Sequence, residues 1–377
     1  MKIAFYAPFK PLGHPHPSGD LVIATGLHAY LAGCGHDIRM VSTLRARWIY
    51  RRPWNWLSAI REYRRAGRRL ARWRPDCWLT YHTYYKAPDV LGPDLSKCCG
   101  IPYLIFQGIY STKRRKNWRT RPGFYLNRRA LSAARHVFSN RKTDLKNLRR
   151  LLPEDRLTYV PPGIYPADFR FDPRARQALR RAWKTGDEPV ILSAAMFRPD
   201  VKSQGLDWTI RSCGRLFREG LSFYLVIAGE GKERDRLVRL AEAYLPDRCR
   251  FVGKVPREEM HRFYSAGDLF VFPGIRESLG MVYLESQSCG RPVVAFDNGG
   301  IPEVVKDGVT GLLTPPFDAG AFDRAVRRLV ADSNLRERMG TAAAFHVREH
   351  HDLARNYRRM ETVLVNIVNR NLKNGRA

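Results

Sequence analysis

The sequence contains no run of 18 apolar residues, so no segment is expected to cross a bilayer as a helix. Its seven cysteines (Cys34, Cys77, Cys98, Cys99, Cys213, Cys249 and Cys289) include no CxxC pair. That spacing supports neither structural zinc nor a disulfide framework, and it fits a reducing, cytoplasmic setting. No Asp-x-Asp occurs anywhere, so a metal ion bridged to a diphosphate would lack its usual ligand pair, and no metal is expected. Acid is scarce overall: 66 Lys+Arg stand against 36 Asp+Glu, a formal charge of +30. The shortage is concentrated at the front, where residues 1–165 hold 31 basic and 9 acidic side chains, or 31 − 9 = +22. Such asymmetry points to a polyanionic partner: an acidic membrane, a phosphorylated substrate or nucleic acid. At 377 residues the chain exceeds one ordinary core, so two domains are expected. A hydrophobic content of 44% excludes disorder. The apolar run Met1–Pro8 is too short for a signal peptide and reads as a first strand.

What is present centres on Pro273-Gly-Ile-Arg-Glu-Ser-Leu-Gly-Met-Val-Tyr-Leu-Glu-Ser-Gln-Ser-Cys-Gly290. It lies between two apolar runs, Leu269–Phe272 and Pro292–Phe296, and reads as strand, loop, helix, strand. The helix is expected to start near Ser278 and Leu279, so free N–H groups at Ser278, Leu279 and Gly280 would face a phosphate. Glu277 and Glu285 are eight positions apart, about 12 Å if the span is mostly helical. That separation suits two hydroxyl-bearing ends of one ligand better than two carboxylates on one reacting atom.

Taken in order, Lys2–Ala7 reads as a buried strand. A Pro- and Gly-rich loop follows, and then a helix opening at Ser18-Gly19-Asp20, with Ser18 or Asp20 as its cap. The Gly19 helix start reads equally as a phosphate cradle or a plain tight turn. Arg45–Arg74 contains eleven Arg and one Glu, with Trp54 and Trp56 among its aromatics. Apolar residues at Leu57, Ile60, Tyr63, Ala66, Leu70 and Trp73 predict a helix with Arg61, Arg64, Arg65, Arg68, Arg69 and Arg72 on the other side. A basic amphipathic helix with tryptophans suits an anionic bilayer; a crossover helix with a solvated Arg face accounts for the stripe alone. His82 follows a predicted strand, Asp76–Tyr81, at the end where α/β sheets bind ligands, and reads as a ligand candidate or a structural histidine. From Lys113, Arg114, Arg115 and Lys116 through Arg129 there are eight basic residues and no acid. That run suits a phosphate-bearing acceptor or a solvated loop. Pro161-Pro-Gly163 marks a junction. The strand–helix alternation then repeats, giving domains at 1–165 and 166–349 and a last helix, His350–Leu372, free to return to the first domain.

The set Glu277/Glu285, Gly229-Glu230-Gly231, Phe251-Val-Gly253, Gly299-Gly300, Ile301-Pro302-Glu303 and Asp307–Leu313 resembles the E-x7-E signature of retaining glycosyltransferases of family 4. The likeness covers most of residues 185–330. The first half is matched by the opening glycine loop and Gly35-His36-Asp37-Ile38. The resemblance implies an α/β protein of the GT-B fold, two Rossmann-like doubly wound domains facing across a cleft. It implies a nucleotide-sugar donor used as substrate, with no cofactor. Glu277 would contact the donor sugar and Glu285 the ribose hydroxyls. The N–H groups of Ser278, Leu279 and Gly280 would hold the diphosphate or sugar, as would Gly19, Gly229 and Glu230 on the donor side. Lys202 resembles the family's diphosphate lysine. The arginine usually found a few residues earlier is out of register: Met196 takes its place and Arg198 is displaced. Gln107 stands where members often carry His, which makes His82 the alternative polar contact. The catalytic set is then Glu277, Lys202 and His82. The acceptor would be a glycan or a lipid-linked sugar of envelope, exopolysaccharide or lipopolysaccharide synthesis. Trp54, Trp56, Arg61, Arg65, Lys113, Arg114 and Arg115 would serve acceptor or membrane on the inner face of the cell membrane.

Three other classes compete. A non-catalytic nucleotide-sugar-binding protein keeps the same residues and binds without turnover. A basic nucleic-acid-binding protein would rest on charge alone, and no binding motif supports it, so no nucleic acid is expected. A dinucleotide site at Gly229-Glu-Gly231-Lys-Glu-Arg234 lacks the third glycine.

Overall fold

The computed structural model describes residues 1–14 and 19–374. The chain divides into two compact units, Met1–Val160 with Ala354–Ala377, and Pro161–Leu353. Each is built on a parallel six-stranded sheet. Parallel strands are covered on both faces and so read as unbroken apolar runs rather than alternating ones.

In the first unit the strands are β1 (Lys2–Tyr6), β2 (Asp37–Ser42), β3 (Cys77–Thr83), β4 (Tyr103–Gly108), β5 (His136–Ser139) and β6 (Leu157–Tyr159). Their order is β2-β1-β3-β4-β5-β6. Every residue of β3 and β4 is buried. The order reverses direction between β1 and β3, which makes the carboxyl ends of those strands the place where a ligand crevice opens in such sheets. The terminal helix Leu353–Asn374 adds Tyr357, Met360, Leu364 and Val368, a buried stripe at helical spacing. Tyr357 meets Phe106 of β4 edge-on at 6.0 Å. The helix expected at His350–Leu372 runs from Leu353 to Asn374, and His350 ends the preceding helix, Ser333–His350.

The helix Pro53–Trp73 corrects the predicted stripe. It buries Ala59, Ala66 and Leu70, with Tyr63 and Trp73 half-buried, while Leu57 and Ile60 are 58% and 48% exposed. The apolar spacing therefore splits into two faces. Its carboxyl-terminal part packs on the sheet, and its first two turns hold Trp54, Trp56, Leu57 and Ile60 out in solvent beside Arg61, Arg64 and Arg65. Ser18, proposed as a cap, lies outside the described residues.

The second unit carries β7 (Val190–Ala194), β8 (Tyr224–Ala228), β9 (Cys249–Phe251), β10 (Leu269–Val271), β11 (Val293–Phe296) and β12 (Gly311–Thr314) in the order β12-β11-β10-β7-β8-β9. This is the doubly wound order with its reversal between β7 and β10. One core runs through the unit, with Phe197, Phe223, Phe270, Phe272 and Tyr283 among its fully buried side chains. Asp268, which leads into β10, ties the sheet to the helix Pro173–Trp183. Its carboxylate accepts from Arg176 at 2.6 Å, Arg180 at 2.9 Å and the Val190 N–H at 2.7 Å.

Candidate functional site

At the β7/β10 reversal, two loops bring Lys202 and Glu277 together. Asp200 caps the helix Val201–Arg218 by accepting the Lys202 N–H at 2.8 Å, which sets Lys202 in the first turn. The Lys202 ammonium pairs with Glu277 Oε2 and stands 5.6 Å from the centre of the Phe272 ring. The pair is partly open, with side chains 32% and 15% exposed. A polar ligand can therefore reach it, and the cation is oriented before any ligand arrives.

The Glu277 loop is rigidly made. Glu277 N–H donates to Gly274 O at 3.0 Å, and Gly300 N–H donates to Glu277 O at 3.2 Å. Gly299 and Gly300 lie so close that a Cβ would stand 2.1 Å from Glu277 O and 1.9 Å from Ser278 O, so the glycine pair is required by contact with this loop. Gly274, Arg276 and Gly280 have positive φ, 71°, 54° and 69°. A left-handed Arg276 is uncommon, and such backbone persists only where its surroundings enforce it.

The helix that follows is Met281–Ser288, later than the start predicted near Ser278. The reason is Gly280, whose left-handed backbone turns the chain before the helix can form. The Ser278 N–H is not free either, because it donates to Glu277 Oε1 at 3.2 Å. Leu279 is buried and Gly280 caps the helix.

Glu285 differs from Glu277 in exposure. It is 4% exposed, and its two oxygens accept from Arg257 at 3.0 Å and from the Tyr264 hydroxyl at 3.0 Å. Burial pushes its carboxyl above the usual range, with Arg257 and Tyr264 opposing. A ribose would reach this carboxylate only if Arg257 gave way. Arg257 and Tyr264 were not legible in the sequence: they lie 28 and 21 residues from Glu285, and no spacing rule joins them.

The remaining donor-side candidates are structural or open. Gly229 leans on the Ala195 carbonyl, where a Cβ would stand at 1.9 Å. Glu230 is exposed, and its backbone oxygen accepts the Phe197 N–H at 2.9 Å. Arg198 is exposed on the loop before Lys202.

The first unit has its own polar cluster at the β1/β3 reversal. Gly19 begins the helix Gly19–Gly33, with nothing packed where its Cβ would stand. Asp20 in the first turn places Oδ1 3.1 Å from His82 Nδ1. The approach is poorly aligned, so neither ring nitrogen of His82 makes a well-formed hydrogen bond among the described residues. Burial raises the Asp20 carboxyl, but His82 and Lys10 outweigh it and hold it below its ordinary range. The register of β3 on β4, Tyr81 beside Phe106 and Thr83 beside Gly108, sets His82 next to Gln107. Both are buried and left-handed, with φ of 57° and 63°, and Gln107 Oε1 has no partner among the described residues. Two adjacent strands thus end in strained backbone carrying unsatisfied polar atoms, an arrangement that marks ligand sites. His82 and Gln107, which the sequence offered as alternatives, stand on neighbouring strands at the same end of the sheet.

Lys113, Arg114 and Arg115 lie on an exposed turn, Thr112–Arg115, of the same unit. Trp54 and Trp56 are 61% and 38% exposed, Arg61 is exposed, and Arg65 stands 3.9 Å from Glu62. Among the described residues, no group of three or more His, Cys, Asp or Glu side chains could hold a metal ion. Among the described residues, no helix is long and apolar enough to cross a membrane.

Residues 175–345 match the family model described as glycosyl transferases group 1. The chain is 34% identical over 218 residues to the alpha-D-kanosaminyltransferase of Streptomyces kanamyceticus, covering 56% of this chain and 55% of that protein. It is 34% identical over 214 residues to the GDP-mannose-dependent alpha-(1-6)-phosphatidylinositol monomannoside mannosyltransferase of Mycolicibacterium smegmatis, covering 55% of each. The chain thus spans about half the length of the curated relatives it matches. Anabaena Alr3699/HepE, solved in complex with UDP, superposes with a TM-score of 0.75 at 17% identity, over 97% of this chain and 100% of that one. The likeness establishes the fold: α/β, with two Rossmann-like units of the GT-B kind.

Proposed function

We propose that this chain is a glycosyltransferase that moves a sugar from a nucleotide-sugar to a glycan or lipid-linked acceptor, retaining the anomeric configuration, as the E-x7-E resemblance to family 4 implies. The observation that carries the reading is the Lys202–Glu277 pair, held half-open by the first turn of the helix Val201–Arg218 and the Glu277 loop at a sheet reversal. In the reaction, the bond between the sugar C1 and the diphosphate oxygen breaks and a bond from the acceptor oxygen to C1 forms on the same face. Lys202 meets the charge that grows on the departing diphosphate, Glu277 orients the sugar through its hydroxyls, and the departing phosphate oxygen takes the acceptor proton. This scheme assigns charge neutralisation to a side chain, so no cofactor or metal is written into it. His82 and Gln107 serve the acceptor side.

The tests are direct. UDP-, GDP- and ADP-sugars are screened by thermal shift, since a bound ligand raises apparent stability. Turnover and the product's anomeric configuration are then measured for wild type and Glu277→Ala. Undiminished turnover in the variant would remove Glu277 from the mechanism. Binding without turnover by wild type would leave a nucleotide-sugar-binding protein, and tight, salt-sensitive DNA or RNA binding would favour the nucleic-acid reading.

A peripheral membrane setting on the cytoplasmic face is part of the proposal. It is supported by the exposed Trp54, Trp56, Leu57 and Ile60 beside Arg61, Arg64 and Arg65 on one helix. An apolar patch rimmed by arginines suits an anionic bilayer, each arginine contributing about 1 kcal/mol near such a surface. Flotation with phosphatidylglycerol vesicles should fall sharply in Trp54→Ser/Ile60→Ser, and unchanged flotation would refute it.

A further inference from the structure

The same unit carries an aromatic strip with three cations laid on it. Arg51 Cζ lies 3.6 Å from the centre of the Trp48 ring, and Arg114 Cζ lies 4.6 Å from that of Tyr85. Lys86 Nζ stands 5.6 Å from Trp48 and 5.7 Å from Tyr85. The rings touch in series: Trp48 meets Tyr85 edge-on at 6.0 Å, Tyr85 meets Tyr84 at 5.7 Å, and Tyr84 stacks on His82 at 4.9 Å. The strip therefore begins at the buried His82 and ends at exposed arginines. Trp48, Tyr84, Tyr85 and Lys86 are half-exposed, and Arg51 and Arg114 are exposed.

Two features distinguish this cluster from a solvated basic face. Arg51, Lys86 and Arg114 have no carboxylate partner among the described residues, although their like charges repel. Each cation instead stands over a ring face, where the ring's negative face attracts it. Trp48 has φ 59°, a conformation that a bulky residue adopts only under constraint. Its N–H donates to Lys86 O at 2.6 Å, which fastens the Trp48 loop to the Tyr84–Lys86 loop. The cluster is thus built from two joined loops, with its cations fixed before any anion arrives.

We infer that Trp48, Tyr84, Tyr85, Arg51, Lys86 and Arg114 form a subsite for an anionic sugar of the acceptor. The phosphate or carboxylate sits on the three cations, and the sugar's C–H face lies on the half-exposed rings next to His82. The inference rests on the glycosyl-transfer reading for the word acceptor, but its binding claim stands apart. The same chemistry arises in a soluble sugar phosphate and in a lipid-linked one.

The experiment titrates glucose 6-phosphate, glucose and inorganic phosphate separately into the full chain by calorimetry, with UDP thermal shift and phosphatidylglycerol flotation run in parallel. Glucose 6-phosphate is expected to bind at least about tenfold tighter than either component, because cations and rings each contribute. Lys86→Ala removes a half-exposed side chain and Arg114→Ala an exposed one, and unchanged melting shows that each variant folds. Each should weaken glucose 6-phosphate binding about tenfold, the scale of one lost charge-assisted bond, with the UDP response unchanged. Equal affinity for glucose 6-phosphate and inorganic phosphate, or binding unaffected by both variants, overturns the subsite. Loss of flotation alone in these variants also overturns it and assigns the cluster to the bilayer. An absent UDP response with intact glucose 6-phosphate binding counts against the donor reading and for the subsite.

Discussion

Replacing Lys202 with alanine separates a structural ion pair from a catalytic cation. In the resting protein the Lys202–Glu277 pair is partly exposed, so screening limits its contribution to about 0.5–1 kcal/mol. Glu277 keeps the Ser278 N–H at 3.2 Å and its backbone bonds to Gly274 and Gly300, so the loop has other supports. Melting should therefore fall by no more than about 2–4 °C. During transfer the departing diphosphate gains charge beside the Lys202 ammonium. One preoriented donor at such a position contributes about 3–4 kcal/mol, so kcat should drop by about 100- to 1000-fold. The assay couples nucleotide release to absorbance, using the donor found by thermal shift, with melting followed on the same samples. A kcat within about threefold of wild type would refute the assignment. So would a melting loss above about 10 °C accompanying the activity loss, because the pair would then be structural.

Three further outcomes follow from charge and burial. Asp268 has its carboxyl held low: burial raises it, but Arg176, the Val190 N–H and Arg180 outweigh that. A lowered folded value stabilises above the unfolded value near about 4 and is lost as pH falls through the folded one. Asp268→Asn should cost about 3 kcal/mol at pH 7, with melting curves converging on wild type as pH falls through the lowered folded value. Glu285 has the opposite sign: a raised folded value stabilises below the unfolded value and is lost as pH rises through the folded one. Arg257→Ala should raise that carboxyl further and cost about 1–2 kcal/mol at pH 7, little in acid, with Glu285→Gln restoring stability in the same background. Tyr264→Phe should behave likewise, since its hydroxyl donates 3.0 Å to Glu285 inside the core.

Local signals carried the architecture a long way. The apolar runs that became β3, β4, β7 and β11 were legible because strands covered on both faces admit little else. Gly299-Gly300 and Glu277 were legible as motif residues, and the structure supplies the physical reason, a close approach of two backbones. The helix start at Met281 was missed because the left-handed turn at Gly280 overrides the polar pattern at Ser278. The stripe on Pro53–Trp73 was misassigned because helical spacing shows which residues share a face, and not whether a neighbour covers it.

The sequence by itself determined two parallel α/β sheets, the basic bias of the first 165 residues, and the residue types that could meet a diphosphate and a sugar. Those properties depend on composition and short-range spacing. Only the tertiary structure decided which groups meet: Lys202 with Glu277 across 75 residues, Arg257 closing over Glu285, His82 beside Gln107, and cations laid on Trp48 and Tyr85. These pairings depend on strand order and loop closure, which join distant residues at the carboxyl ends of strands and leave no periodic trace in the chain.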